Sequence, residues 1–170
     1  LADRVNDDQK VKIFMSPNKA FRIPENHETP MIMVGPGTGI APFRAFLDER
    51  EIIGASGQNW LFFGDWTESG ENYYKEEMDD WKERGILTKH DLAWSRDGSE
   101  KVYVQHLMKK HGEEIWAWID GGAYFYVCGD KSRMAKDVHK TLIGICAEQG
   151  GMSEEDALEF VETQMMRTEK

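Results

Sequence analysis

Cysteine is scarce in this chain. Cys128 and Cys146 are the two cysteines among 170 residues and form no Cys-x-x-Cys pair, which argues against both a zinc site and a disulfide framework. Free thiols fit a reducing, cytoplasmic setting. Long apolar runs are missing as well: apolar residues make up 40% of the chain, and no stretch approaches the ~18 consecutive apolar residues of a membrane helix. A spanning helix, and with it a membrane partner, is not expected. Positive charge is in deficit, since 21 Lys and Arg face 31 Asp and Glu for a net charge of -10. That balance opposes general binding to nucleic acid, whose phosphates need a basic stripe. Any anionic ligand must therefore be met by a local cationic cluster. His27, His90, His106, His111 and His139 are scattered without the spacing of metal ligands, so no metal is expected. An initiating methionine and a signal-peptide pattern are also missing; the chain opens on Leu1 and reads as a segment of a longer protein.

What is present is an alternation. Short apolar runs at 31–34, 60–63, 91–94 and 124–128 recur between stretches of helical pattern at 42–53, 72–84, 104–111, 113–119 and 134–148. Ser153-Glu154-Glu155 offers a capped start for a last helix. This order predicts an α/β fold, a parallel sheet with helices on both faces. The first thirty residues break the rhythm: Val11-Lys12-Ile13-Phe14 alternates like a strand, and Pro17-Asn18 and Pro24 follow in extended chain. They read as the tail of a preceding β-rich domain. The last helix runs into Arg167-Thr168-Glu169-Lys170 without a stop signal, so that end is expected to be cut short.

The first apolar run leads into Gly35-Pro36-Gly37-Thr38-Gly39-Ile40-Ala41-Pro42-Phe43-Arg44. Glycines between a buried strand and a helix permit positive φ and let the main chain approach a pyrophosphate, while the N–H groups and dipole of the helix start favour an anion. Pro42 suits the first helical turn, where its missing N–H would have had no helical partner. Arg44 has two readings, a phosphate contact or a surface pair with Asp48.

Two further strand ends bear on nucleotide choice. Asp65 in Phe63-Gly64-Asp65 stands where an acid can hold a ribose 2′-hydroxyl, which taken alone favours NAD. The third strand argues the other way. Trp94-Ser95-Arg96 closes it, and Lys101-Val102-Tyr103-Val104-Gln105 opens the next helix after a short loop. A hydroxyl, a guanidinium and an ammonium at one strand end make a monophosphate pocket, with Tyr103 able to stack on an adenine.

Taken together, the glycine turn from Gly35 to Arg44, Trp60-Leu61-Phe62-Phe63-Gly64, Ala93-Trp94-Ser95-Arg96, Lys101-Val102-Tyr103-Val104-Gln105 and Tyr126-Val127-Cys128-Gly129-Asp130 resemble the ferredoxin–NADP reductase superfamily. Within it they are similar to the diflavin reductases. The stretch 87–97, with Met134-Ala135-Lys136-Asp137-Val138 and Gly150-Gly151-Met152, carries the resemblance to their sulfite-reductase branch. The resemblance implies a three-layer, Rossmann-like parallel sheet of the ferredoxin–NADP reductase C-terminal type at 29–170, preceded at 1–28 by a remnant of an FAD-domain β-barrel. It implies an NADPH-dependent flavoprotein oxidoreductase: NADP(H) binds here, FAD and FMN domains belong to the same chain, and a haemoprotein subunit accepts the electrons.

The same resemblance implies that Gly37, Thr38 and Gly39 line the nicotinamide and pyrophosphate site, that Ser95, Arg96 and Lys101 hold the 2′-phosphate, and that Tyr103 packs on the adenine. Cys128 matches a cysteine near the nicotinamide C4, and Asp130 the acid beside it; these two are the candidate catalytic residues. Pro42, Arg44, Gln105, Gly129, Met134 and Asp137 complete the candidate cofactor-binding set. The family's FAD-binding motif and chain-terminal aromatic fall outside these residues, so the chain alone is expected to bind neither FAD nor FMN and to show no reductase activity. Asp65-Trp66 follows Phe63-Gly64 where some relatives place a cysteine and an arginine near the adenine. Two other readings stand beside this one, a diflavin reductase for another acceptor such as nitrate or a monooxygenase, and a module that senses NADP(H) without reducing anything.

Overall fold

The computed structural model describes Asn18 and residues 21–165. The expected strand at 11–14, most of the barrel remnant assigned to 1–28, and the end at 167–170 lie outside the described residues.

Four strands, β1 (Met31–Val34), β2 (Asn59–Asp65), β3 (Lys89–Trp94) and β4 (Tyr124–Val127), form one sheet in the order β3-β2-β1-β4. All pairings are parallel, with Val34 opposite both Phe62 and Val127, and Phe62 opposite Asp91. Successive strand side chains point to opposite faces. Met31 and Met33 thus join Phe43, Leu47, Leu61, Phe63, Met78 and Trp81 on one face, while Ile32 and Val34 join Trp60, Phe62, Met108, Ile115 and Leu142 on the other. Burial on both faces is why these strands read as unbroken apolar runs rather than alternating ones.

The first face is covered by α1 (Ala41–Ile52) and α3 (Lys75–Glu83), the second by α4 (Val104–Lys110), α5 (Gly112–Asp120), α6 (Met134–Gly150) and α7 (Glu154–Glu159). The result is the three-layer α/β architecture expected from the alternation. One predicted helix starts late: the span from 72 to 84 begins only at Lys75, after a separate short helix α2 (Glu68–Glu71) that Asn72 ends at φ -83, ψ 54. Thr67 caps α2 through its hydroxyl, which accepts from the Gly70 amide. Ser153 caps α7 as its sequence context predicts, accepting from the Asp156 amide at 3.1 Å. Helix α6 stops at Gly151, whose φ of 63 is the left-handed conformation of a helix C-cap. Among the described residues, no helix is long and apolar enough to cross a membrane.

Arg50, at the end of α1, is 2% exposed. Its guanidinium donates to the carbonyls of Thr29 at 3.0 Å, His27 at 3.3 Å and Gly57 at 2.7 Å, tying the entry of β1 to the loop before β2. Burial pulls its pKa below the usual value, and the three carbonyl dipoles offset part of that penalty.

The strand order decides where a ligand can sit. From β1 the chain builds outward through β2 to β3 and then returns to the other side of β1 with β4. The loops leaving β1 and β4 therefore diverge and open a crevice at the carboxyl ends of these strands, which is where open α/β sheets bind ligands.

Candidate functional site

At the switch point β1 enters the glycine turn. The strand does not feed straight into a helix as the sequence suggests: residues Gly37–Ile40 make one 3-10 turn before α1 begins at Ala41. The Gly39 amide closes that turn on the Pro36 carbonyl at 3.0 Å. Two glycines here serve different ends. Gly37 stands at φ +56, and among the described residues an added Cβ would come within 4 Å of Asp65 Oδ2 alone, at 3.9 Å. Its requirement is conformational, and its main chain faces open space. Gly39 is wanted for its size, since a Cβ there would lie 2.0 Å from the Cys128 carbonyl oxygen.

A groove of about 470 Å³ runs from this turn past the ends of β2 and β3 to the starts of α4 and α6. Its wall brings together Gly37, Ser95, Tyr103, Gln105, Asp130, Met134 and Asp137 from the residues singled out in the sequence. Thr38, Gly39, Pro42, Arg44, Arg96, Lys101, Cys128 and Gly129 do not contribute to that wall. Trp66, which the resemblance puts near the adenine, does, as do Arg133 and Val102, to which the sequence assigns no role. The signal for Arg133 was its place immediately before a long helix; it is the residue preceding the first turn of α6.

The charges in and beside the groove are differently engaged. Asp65 accepts the Trp66 amide at 2.9 Å. Asp130 accepts both the hydroxyl and the amide of Ser132, at 2.7 and 2.8 Å, and these bonds hold its carboxyl below the usual range. Ser95 is buried, and its hydroxyl donates to the Asp65 carbonyl at 3.2 Å. Tyr103 is 41% exposed, and its amide donates to His106 Nδ1 at 3.2 Å just before α4. The guanidinium of Arg96 lies 3.7 Å over the Trp66 ring.

Arg44 departs from its reading as a surface pair with Asp48. Its partner is not Asp48: Nε and Nη2 each make a 2.6 Å bond to the Glu77 carboxylate, and the guanidinium lies 4.4 Å over the Tyr74 ring. This bidentate pair ties α1 to α3 and occupies the fork that a phosphate would need.

Cys128 follows β4 directly, its amide donating to the Val34 carbonyl at 3.0 Å. It is half-buried, and burial pushes its thiol pKa up. Gly129 comes next, packed so closely that a Cβ would meet the Met134 methyl at 2.3 Å. Cys146, by contrast, is wholly buried in the core of α6, and its thiol is pushed up to about 11.

Comparison with known proteins adds to this geometry. The oxidoreductase NAD-binding domain family matches residues 33–140, a span that contains the end of β1, the whole of β2, β3 and β4, and the groove. Curated relatives include the sulfite reductase (NADPH) flavoprotein alpha-component of Klebsiella pneumoniae, 52% identical over 95% of this chain and 27% of the relative. The protein of the same name from Pectobacterium atrosepticum is 50% identical over 95% of the chain and 26% of its own length. That from Serratia proteamaculans is 53% identical over 95% and 27%. The chain thus spans about a quarter of the length of these relatives.

Proposed function

Since the chain belongs to the oxidoreductase NAD-binding domain family, we propose that it is the NADPH-binding module of a flavoprotein reductase of the sulfite reductase type. In the whole protein, FAD and FMN domains of the same chain relay the electrons, and a haemoprotein subunit accepts them in the cytoplasm. The observation that carries this reading is the groove at the switch point of the β3-β2-β1-β4 sheet. The names and identities of the relatives support the acceptor. The domain boundary belongs between residues 28 and 29, just ahead of β1 at Met31.

The residues present fit a dinucleotide phosphate. Gly37 offers positive-φ main chain with open space above it, and Arg133 lies in the groove wall with Arg96 at its rim. These cations stand in a chain of net charge -10. Two of the carboxylates in the wall, Asp65 and Asp130, are already bonded to main-chain amides. When bound, NADPH supplies a hydride that the flavin receives.

The work of this chain is to bind and orient. The turn Gly37-Thr38-Gly39, with Pro42 behind it, presents main chain to the pyrophosphate. Ser95, Arg96 and Lys101 hold the 2′-phosphate, each charge-assisted bond contributing about 1.5–3 kcal/mol. Tyr103 gives its exposed face to the adenine beside Gln105. Cys128 sits with Gly129 at the nicotinamide end; its raised pKa keeps the thiol protonated at neutral pH, a small polarisable surface rather than a nucleophile. Asp130, fixed by Ser132, stands beside it, and Met134 and Asp137 close the α6 side. Arg44, committed to Glu77, is left out of this set.

Calorimetric titration of the chain with 2′-AMP and 5′-AMP tests the pocket. We expect 2′-AMP to bind at least about tenfold more tightly, and Arg96→Ala to remove about that factor. Equal affinities, or an Arg96→Ala variant that binds as well as the wild type, would refute the preference for NADP(H). NADPH-driven cytochrome c reduction by the full-length protein separates a reductase from a module that only senses the nucleotide.

A further inference from the structure

Trp66 has no part in the reading above, yet it is 54% exposed, and it lies in the groove wall. A large indole left half in water at a binding groove asks for a reason. The loop that carries it is fastened to the loop after β3. Beyond the last strand pair, the Ser95 amide donates to the Asp65 carbonyl at 2.9 Å and the Arg96 amide to the Trp66 carbonyl at 2.8 Å. One turn further on, the Glu68 amide donates to Asp97 Oδ2 at 2.7 Å. These bonds continue the β2–β3 pairing past the sheet and fix residues 66 and 96 side by side.

In that position the Arg96 guanidinium lies over the indole, its central carbon 3.7 Å from the ring centroid. A carboxylate could orient an arginine too, but it would consume the N–H donors and cancel the charge. An aromatic face orients the fork through its π surface and leaves the in-plane donors open. Among the described residues, no carboxylate is bonded to the Arg96 guanidinium. Glu71 is held below the usual carboxylate range by hydrogen bonds from Thr67, with a smaller pull from Arg96, and its Oε2 is already taken by the Thr67 hydroxyl at 2.5 Å and the Thr67 amide at 2.8 Å.

We propose that Trp66 is a positioning residue for the 2′-phosphate: its indole face holds Arg96 at the rim of the groove with its charge and donors unspent, and selectivity for a 2′-phosphorylated nucleotide depends on an aromatic ring at this position. The inference rests on the assignment of Arg96 to the 2′-phosphate.

The test is titration of the 170-residue chain with 2′-AMP and 5′-AMP, with thermal unfolding followed in parallel. Trp66→Leu keeps apolar bulk without a π face, and Trp66→Phe keeps the face. We expect Trp66→Leu to weaken 2′-AMP binding about two- to fivefold, the equivalent of about 0.5–1 kcal/mol for an exposed cation–π contact. Binding of 5′-AMP should stay unchanged, Trp66→Phe should retain most of the 2′-AMP affinity, and Trp66→Leu should add nothing in an Arg96→Ala background. Unaltered 2′-AMP binding by Trp66→Leu, an equal loss for both nucleotides, or the same loss without Arg96 would each overturn the inference. A wild-type chain that binds 2′-AMP no better than 5′-AMP would instead overturn the pocket itself, and the two failures are told apart by the wild-type titration.

Discussion

Gly39 and Cys128 meet backbone to backbone at the switch point of the sheet. A Cβ on Gly39 would lie 2.0 Å from the carbonyl oxygen of Cys128 and 2.8 Å from its carbonyl carbon. Neither atom is the free end of a flexible side chain, so the turn after β1 and the end of β4 stand at a separation only glycine permits. Gly39→Ala should therefore cost about 3 kcal/mol or more, at the upper end of overpacking. Gly37→Ala meets open space and only the left-handed φ, about 1–2 kcal/mol. Urea unfolding of the two variants checks the order; a Gly37→Ala variant less stable than Gly39→Ala would contradict it.

The role given to Cys128 predicts a change in rate rather than affinity. In the full-length protein, Cys128→Ala should slow reduction of the flavin by NADPH while leaving 2′-AMP binding as it was, because the thiol lies outside the groove wall that holds Ser95 and Tyr103. Stopped-flow reduction with NADPH and its C4-deuterated form is the measurement. A normal rate would leave Cys128 as core packing.

Cys146 predicts a pH dependence of stability. Its thiol is pushed from an ordinary value of 9.0 to about 11 by burial, so ionisation is harder folded than unfolded. Its contribution is fully present below pH 9.0 and is lost as pH rises toward 11. The loss amounts to roughly 2–3 kcal/mol at about 1.4 kcal/mol per pH unit. Cys146→Ala, which cannot ionise, should show a correspondingly flatter stability profile between pH 8.5 and pH 11 in urea titrations, at roughly that magnitude. Parallel profiles for variant and wild type would remove the thiol as the cause.

Arg50 predicts a stability loss without any change at the groove. Arg50→Met keeps the apolar stem but removes the guanidinium from the Thr29, His27 and Gly57 carbonyls, of which His27 still accepts the Gly57 amide at 3.0 Å. The expected cost is about 1–3 kcal/mol, the penalty of leaving the buried Gly57 acceptor unsatisfied. A melting temperature within a degree or so of the wild type would show that water replaces the guanidinium at little cost.

The class of fold and the place of the glycine turn are legible without any tertiary contact. The apolar runs at β1, β2 and β4 are legible because both sheet faces are buried, so residues such as Ile32 and Met33 must both be apolar whichever way they point. The cap at Ser153 was legible because capping is local: its hydroxyl bonds an amide three residues on. Tertiary structure decided everything that joins distant segments. Arg44 chose Glu77, 33 residues away, over the neighbouring Asp48, because the crossing of α1 and α3 sets the guanidinium opposite that carboxylate. The two glycines of the 3-10 turn look alike in sequence, yet one answers to its own φ and the other to the carbonyl of Cys128 on a different strand. Likewise nothing local to Trp66 announces its neighbour; the pairing of two loops lays Arg96 across its ring. Local periodicity records which way a side chain must face, but only the packed sheet and helices fix what it faces.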